Sequence, residues 1–177
     1  MENNKNSSTF QAILTWGLIA GIASIVYTLI MYMAGLMQNK PLQYAGIIIT
    51  VVCLYLGIKT VRDQCLGGFI SYGKSLGTGV LISLISTIIS VIFLIVLYTV
   101  IDQGLIDLTL QESIQKMTER GMSEDQIEQG ISMARKFFLP SLLIGGLFFG
   151  TLIGFIISLV LSAFLKKEEN PFVNPNV

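Results

Sequence analysis

SLGTGVLISLISTIISVIFLIVLYTVI, residues 75–101, runs for 27 residues without one Asp, Glu, Lys or Arg. An uncharged apolar run of about 18 residues or more reads as a helix that crosses a membrane. At ~1.5 Å per residue it would reach about 40 Å, so it tilts or projects beyond a hydrocarbon core of ~30 Å.

The same signature recurs three times, and the charge-free runs predict spans near residues 11–37, 42–58, 75–101 and 139–165. The second is the shortest, at 17 residues, the low end of what spans a bilayer. Only 12% of the chain is charged, against about a quarter in a soluble domain. Lipid cannot hydrogen-bond a bare backbone, and nothing alternates as barrel strands would. The expected fold is an all-α integral membrane bundle of four helices over residues 11–168, with a short polar N-terminus at 1–10 and a flexible C-terminal tail at 169–177. The first span reads as a retained anchor rather than a cleaved signal, because its apolar stretch is long and three more follow.

Four spans place both termini on one side, with the loop from Lys59 to Lys74. That side carries Lys5, Lys59, Arg62, Lys74, Lys166 and Lys167; the other carries Lys40, Lys116, Arg120, Arg135 and Lys136. Six cations against five is a small bias, and the positive-inside rule then puts the termini in the cytoplasm. Trp16, Tyr55 and Tyr72 fall near one interface, and Tyr32, Tyr44 and Tyr98 near the other.

Gly68, Gly73, Lys74 and Ser75 match the spacing of a phosphate loop. Such a loop needs a strand before it and a soluble helix after it. Here a polar turn precedes it and a membrane span follows. The nearest Walker B aspartate, Asp102, lies 27 residues down the same helix, about 40 Å away. No nucleotide is expected. Two readings remain for Lys74 and Ser75: contact with a lipid headgroup at a helix N-terminus, or a cation that merely snorkels to the interface.

The fourth span repeats a small residue every four positions: Gly146, Gly150, Gly154, Ser158 and Ser162. Glycine costs about 1 kcal/mol of helix propensity against alanine, so three on one stripe predict close packing there. Looser stripes run along the first span (Gly17, Gly21, Ser24, Thr28), the second (Gly46, Thr50, Cys53, Gly57) and the third (Gly73, Gly77, Ser83, Ser86, Ser90). The stripes fit an ordinary bundle interior, an oligomer interface on the fourth span, or a groove lined by Ser and Thr.

Between the third and fourth spans, residues 105–137 read as a helical hairpin outside the bilayer. Thr109 with Glu112 and Ser123 with Gln126 are spaced as capping boxes, and Gly121 is a helix stop. Glu112 and Lys116 are placed to pair. Seven of the eleven acids lie between Asp102 and Glu128, so the hairpin is either a solvated polar face or an acidic docking surface. No calcium-ligand spacing occurs, there is no histidine, and the net charge is zero, so neither a metal site nor a nucleic-acid footprint is expected.

Three blocks, TWGLIAGIASIVYTLIMY, FISYGKSLGTGVLISLIS and GMSEDQIEQGISMARKFFLP, resemble in order the family catalogued as domain of unknown function 4199, of Bacteroidota membrane proteins. The resemblance covers roughly residues 10–168. It implies four spans and an inner-membrane address, and it implies no catalytic residue or cofactor. The expected role is non-enzymatic, through helix packing with itself or a membrane partner at Gly146, Gly150, Gly154, Ser158, Gly17 and Gly21. The alternative is a small transporter or channel for an uncharged or lipid-like solute. No ionisable group lies in any span, which counts against ion-coupled transport.

Overall fold

The computed structural model describes residues 2–167. It is helical throughout: α1 (Glu2–Met33), α2 (Lys40–Thr60), α3 (Tyr72–Val96), α4 (Gly104–Glu119) and α5 (Glu124–Leu165). Single π-helical turns extend α2 over Val61–Cys65 and α3 over Leu97–Ile101. Among the described residues no strand forms, only one antiparallel bridge between Ile70 and Lys167.

The sequence explains where the helices stop. Gly35 takes φ +67°. Leu36 then donates to the Met31 carbonyl at 2.9 Å and Gly35 to that of Tyr32 at 3.0 Å, the paired bonds of a Schellman cap. The first helix therefore ends at Met33, short of the expected residue 37. Its other end takes in the polar N-terminal segment from Glu2, which the sequence reading kept apart. Asn39 caps α2 by accepting from the Leu42 N–H at 3.4 Å, and Pro41 sits in the first turn, where its missing N–H costs nothing. The tail at 169–177 lies outside the described residues.

The region between the third and fourth spans differs from expectation at two points. Thr109 is not a cap: its hydroxyl donates to the Leu105 carbonyl at 2.8 Å from inside α4. The helix starts five residues earlier because Asp102 Oδ1 accepts from the Gly104 N–H at 2.9 Å and turns the chain there. The second hairpin helix and the fourth span are one element, α5, of 42 residues with Pro140 inside. Proline removes one donor from the ladder, and Ser141 donates its hydroxyl to the Phe138 carbonyl at 2.8 Å beside that gap. The other local signals operate. Gly121, at φ +74°, closes α4 with a second Schellman cap, Met122 donating to Met117 and Gly121 to Thr118. Ser123 and Gln126 cap α5 reciprocally, and Lys116 meets Glu112 at 2.9 Å.

The left-handed conformation at Gly121 leads to one expected result. A side chain there costs roughly 1–2 kcal/mol. Gly121→Ala should therefore speed amide exchange over residues 118–123 by about fivefold or more, with exchange in α1 unchanged.

Two compact units form among the described residues, 2–90 with 149–167, and 91–148. In the first, α1, α2, α3 and the end of α5 pack with alternating direction. Trp16 meets Gly57 and Tyr27 meets Gly46, so α1 and α2 are antiparallel; Gly17 meets Ile85 and Gly21 meets Ile89, so α1 and α3 are parallel. Ser8, Cys65, Ile70 and Lys167 gather at one end, through the Cys65 thiol on the Ser8 carbonyl and the Ile70–Lys167 bridge. A cluster of Ile13, Leu54, Ile58, Val61, Ile70, Ile82 and Leu165 fills the space just below.

The interior mixes large aliphatic side chains, Leu54, Ile58 and Ile82 among them, with small hydroxyl ones. The buried polar side chains are Ser75, Thr78, Ser83, Ser86, Ser158 and Ser162, while Ile22, Ile48, Ile92, Ile156 and Phe164 are exposed. Small hydroxyl residues buried beside the aliphatic cluster, with many large apolar side chains left outside, suit a lipid solvent, in which close helix contact matters more than hiding apolar area. Among the described residues four helices are long and apolar enough to cross a membrane: Ser8–Met33, Tyr44–Cys65, Tyr72–Ile101 and Glu124–Leu165.

Candidate functional site

The glycines with the least room in the first unit lie in the seam between α3 and α5. Gly150 faces Thr87, and a Cβ there would stand 2.6 Å from the Thr87 methyl. Gly154 faces Ser83 so closely that a Cβ would overlap the Ser83 side chain. One turn on, the relation reverses, and Ser158 covers Gly79. Each step of four along α3 is met by a step of four back along α5, with the glycine now on one helix and now on the other. The Ile70–Lys167 bridge continues this register, nine residues before Gly79 and nine after Ser158. Its two backbone bonds, 2.8 and 2.9 Å, pin the helices at one end. In the second unit Gly146 lies against Val91, whose methyl would be 2.9 Å from an added Cβ.

The stripe predicted on the fourth span thus packs against α3 of the same chain. Gly17 and Gly21 receive Ile85 and Ile89 on another face of α3, where a Cβ would meet those side chains at 2.7 and 2.9 Å. The stripe expected on α3 holds in part: Ser83 lies in the seam and Ser86 is buried, but its two glycines do not face α5. Gly73 and Gly77 have nothing within 4 Å of an added Cβ, while the seam uses Gly79, Ser83, Thr87 and Val91. Two residues of offset is about 200° around a helix, so the two sets point in nearly opposite directions.

Lys74 and Ser75 separate in the same way. Lys74 is exposed, whereas Ser75 is wholly buried. Headgroup contact at this position therefore rests on Lys74 alone. The turn before them is made by Gly67 and Gly68, at φ +69° and +91°, and held by the Gly68 N–H on the Arg62 carbonyl at 2.8 Å. Arg62 also reaches the Leu165 carbonyl at 3.4 Å and pairs with Asp63 at 2.6 Å, while Lys167 lies over the Phe69 ring at 5.3 Å. The hydroxyls of Ser75, Thr151, Ser158 and Ser162 are buried without a hydrogen-bond partner. That of Ser158 occupies the space that a side chain on Gly79 would take.

The second unit contains a half-open cleft of about 280 Å³. It lies where the π-helical turn after α3 leads into α4, opposite the middle of α5. Tyr98 and Phe138 form one wall, in an edge-on ring contact at 5.2 Å. Asp107 and Arg135 pair across it, and Gln103, whose amide donates to the Thr99 carbonyl at 2.9 Å, closes the turn. The pairing of Asp107 with Arg135 was not read from the sequence, because the two are 28 residues apart and meet only through the fold. Among the described residues no group of His, Cys, Asp and Glu is placed to hold a metal.

Four long apolar helices, with small hydroxyl residues buried between them and large apolar side chains exposed, define a helical membrane protein. The chain belongs to the family described as Protein of unknown function (DUF4199), whose model matches residues 15–167. Comparison with curated proteins and with solved structures gives no match.

Proposed function

We propose that this chain is a non-enzymatic multi-pass protein of the bacterial inner membrane, with both termini in the cytoplasm, that works by associating with itself or a membrane partner in the plane of the bilayer. The observation that carries this reading is the division of labour between two glycine sets. The stripe of Gly146, Gly150 and Gly154 is consumed inside the chain, against side chains of α3. Gly73 and Gly77 stay open on the outer face of α3, a small-residue notch where a second helix backbone can approach. Lys74, between them in sequence and exposed, is placed to anchor this end at lipid phosphates. The hairpin of α4 and the first turns of α5 is assigned to the side opposite the termini. No nucleotide, nucleic acid, metal or cofactor enters this reading.

The test separates the two sets. Gly77→Leu should abolish crosslinking between copies, or co-purification of the partner, while the detergent melt stays as in wild type. Gly150→Leu should lower the melt first. If the wild-type chain in native membranes crosslinks to nothing, the association reading falls. A second reading is a pathway for an uncharged or lipid-like solute, which would need the closed helix contacts around the unpartnered hydroxyls of Ser75, Thr151, Ser158 and Ser162 to open. A liposome flux assay without solute movement would remove it.

A further inference from the structure

We propose that the cleft beside the π-helical turn holds the headgroup of a zwitterionic phospholipid of the phosphoethanolamine type, with its phosphate on Arg135 and its ammonium on Asp107. This rests on the membrane reading above, and it assigns a ligand that the association reading does not require.

The argument starts from the chemistry of the walls. Arg135 and Asp107 are both more than half exposed at the cleft, and their recorded bond uses one guanidinium nitrogen and one carboxylate oxygen. The other donors of the fork and the second carboxylate oxygen remain for a ligand. An exposed pair of this kind is worth little to stability, so holding α4 to α5 is a weak reason for it. A site carrying one full charge of each sign matches a ligand that also carries both. A purely anionic headgroup would meet the Asp107 carboxylate, and a choline headgroup has no N–H to donate to it.

Size and position agree. Pockets for whole drug-sized ligands start at about 300 Å³. At 280 Å³ and half open, the cleft takes a headgroup and leaves the chains outside. Leu139, on its rim, is the third residue of the charge-free run of α5, which starts just after Lys136. Phe138 and Tyr98 form an aromatic pair beside that boundary, the place aromatic side chains occupy at a membrane interface. Acyl chains would run from the cleft along the apolar surface that starts there, with the charged pair at headgroup height.

The experiment uses the full chain, purified in mild detergent and equilibrated with equimolar phosphatidylethanolamine, phosphatidylglycerol and phosphatidylcholine. Retained lipid is counted by native mass spectrometry. Wild type should keep phosphatidylethanolamine in preference to both others. Arg135→Gln should retain about tenfold less of it, as expected for loss of a charge-assisted bond to phosphate. Asp107→Asn should lose the preference over phosphatidylglycerol while still binding lipid. Glu112→Gln, in the same helix with its own partner Lys116, should behave as wild type. Equal helical content by circular dichroism confirms that each variant is folded.

Retention in proportion to abundance, or Arg135→Gln and Asp107→Asn indistinguishable from wild type, would overturn the proposal. So would full displacement by soluble glycerophosphoethanolamine at the same headgroup concentration, which would make the ligand a free headgroup rather than a lipid. A chain that stays monodisperse in buffer without detergent would instead sink the membrane reading itself.

Discussion

Gly154→Leu should be the most damaging single substitution in the seam, lowering stability by about 3 kcal/mol or more, the upper range for overpacking a closed contact. What stands opposite each glycine decides the ranking. At Gly146 the obstacle is a Val91 methyl, and at Gly150 the methyl and hydroxyl of Thr87, all one bond further from the α3 backbone than a Cβ. At Gly154 it is the Ser83 Cβ, with the Ser83 Cα only 3.7 Å from an added Cβ. Those atoms are fixed to the backbone of α3, so the helices themselves must part. Separation would also loosen Ser158 from Gly79 one turn away. The measurement is unfolding of purified protein in mixed micelles, followed by circular dichroism. Gly145→Leu, with nothing within 4 Å of its added Cβ, is the matched control and should unfold as wild type. Ser83→Gly should restore part of the loss in the double variant, because it removes the atoms in the way. A Gly154→Leu chain as stable as the control would show that α3 and α5 do not meet here.

Much of the architecture was legible because the solvent dictates it. A lipid-facing helix must exclude charge for its whole length, so Lys40, Lys59, Lys74, Lys136 and Lys166 bracket the apolar runs. Gly121 and the pair Ser123 and Gln126 were legible because caps are local chemistry. Register was another matter. Small residues at steps of four occur on every helix, and a repeat of that kind slides without penalty in the sequence. What fixes it is the bridge between Ile70 and Lys167, 97 residues apart, together with the single reversal at Gly79 and Ser158. On α3 the glycines at 73 and 77 suggested the wrong phase. The correct one, Ser75, Gly79, Ser83 and Thr87, was present at the same spacing but carries a single glycine. Ser75 was drawn toward the surface by its place in a phosphate-loop pattern, whereas its phase on the helix buries it. The cleft was not legible at all, since it requires the π-helical turn to bring Tyr98 toward Phe138, and Asp107 toward Arg135.

Ile70→Ala should cost 2–5 kcal/mol, the usual range for emptying a large aliphatic site in a closed core. From the sequence this residue belongs to the loop between the second and third spans. In the structure it is 1% exposed and is packed in the cluster with Ile58, Val61, Ile82 and Leu165. Its backbone meanwhile exchanges both bonds with Lys167. Side chain and backbone thus anchor the same point, the last turn of α5, to the loop between α2 and α3. Removing the side chain leaves a void under the bridge, and α5 should fray from Leu165 backward. Trypsin cleavage at Lys166 and Lys167 in mild detergent should then become faster, while cleavage at Lys116 stays at the wild-type rate. Ile70→Val, which keeps most of the volume, should cost about 0.5–1.5 kcal/mol. Ile70→Pro removes the N–H that reaches the Lys167 carbonyl at 2.8 Å while keeping an apolar ring, so it weighs the backbone contribution against the packing one. If Ile70→Ala and Ile70→Val unfold alike, the cluster is not closed at this end, and the bridge alone sets the register of α3 against α5.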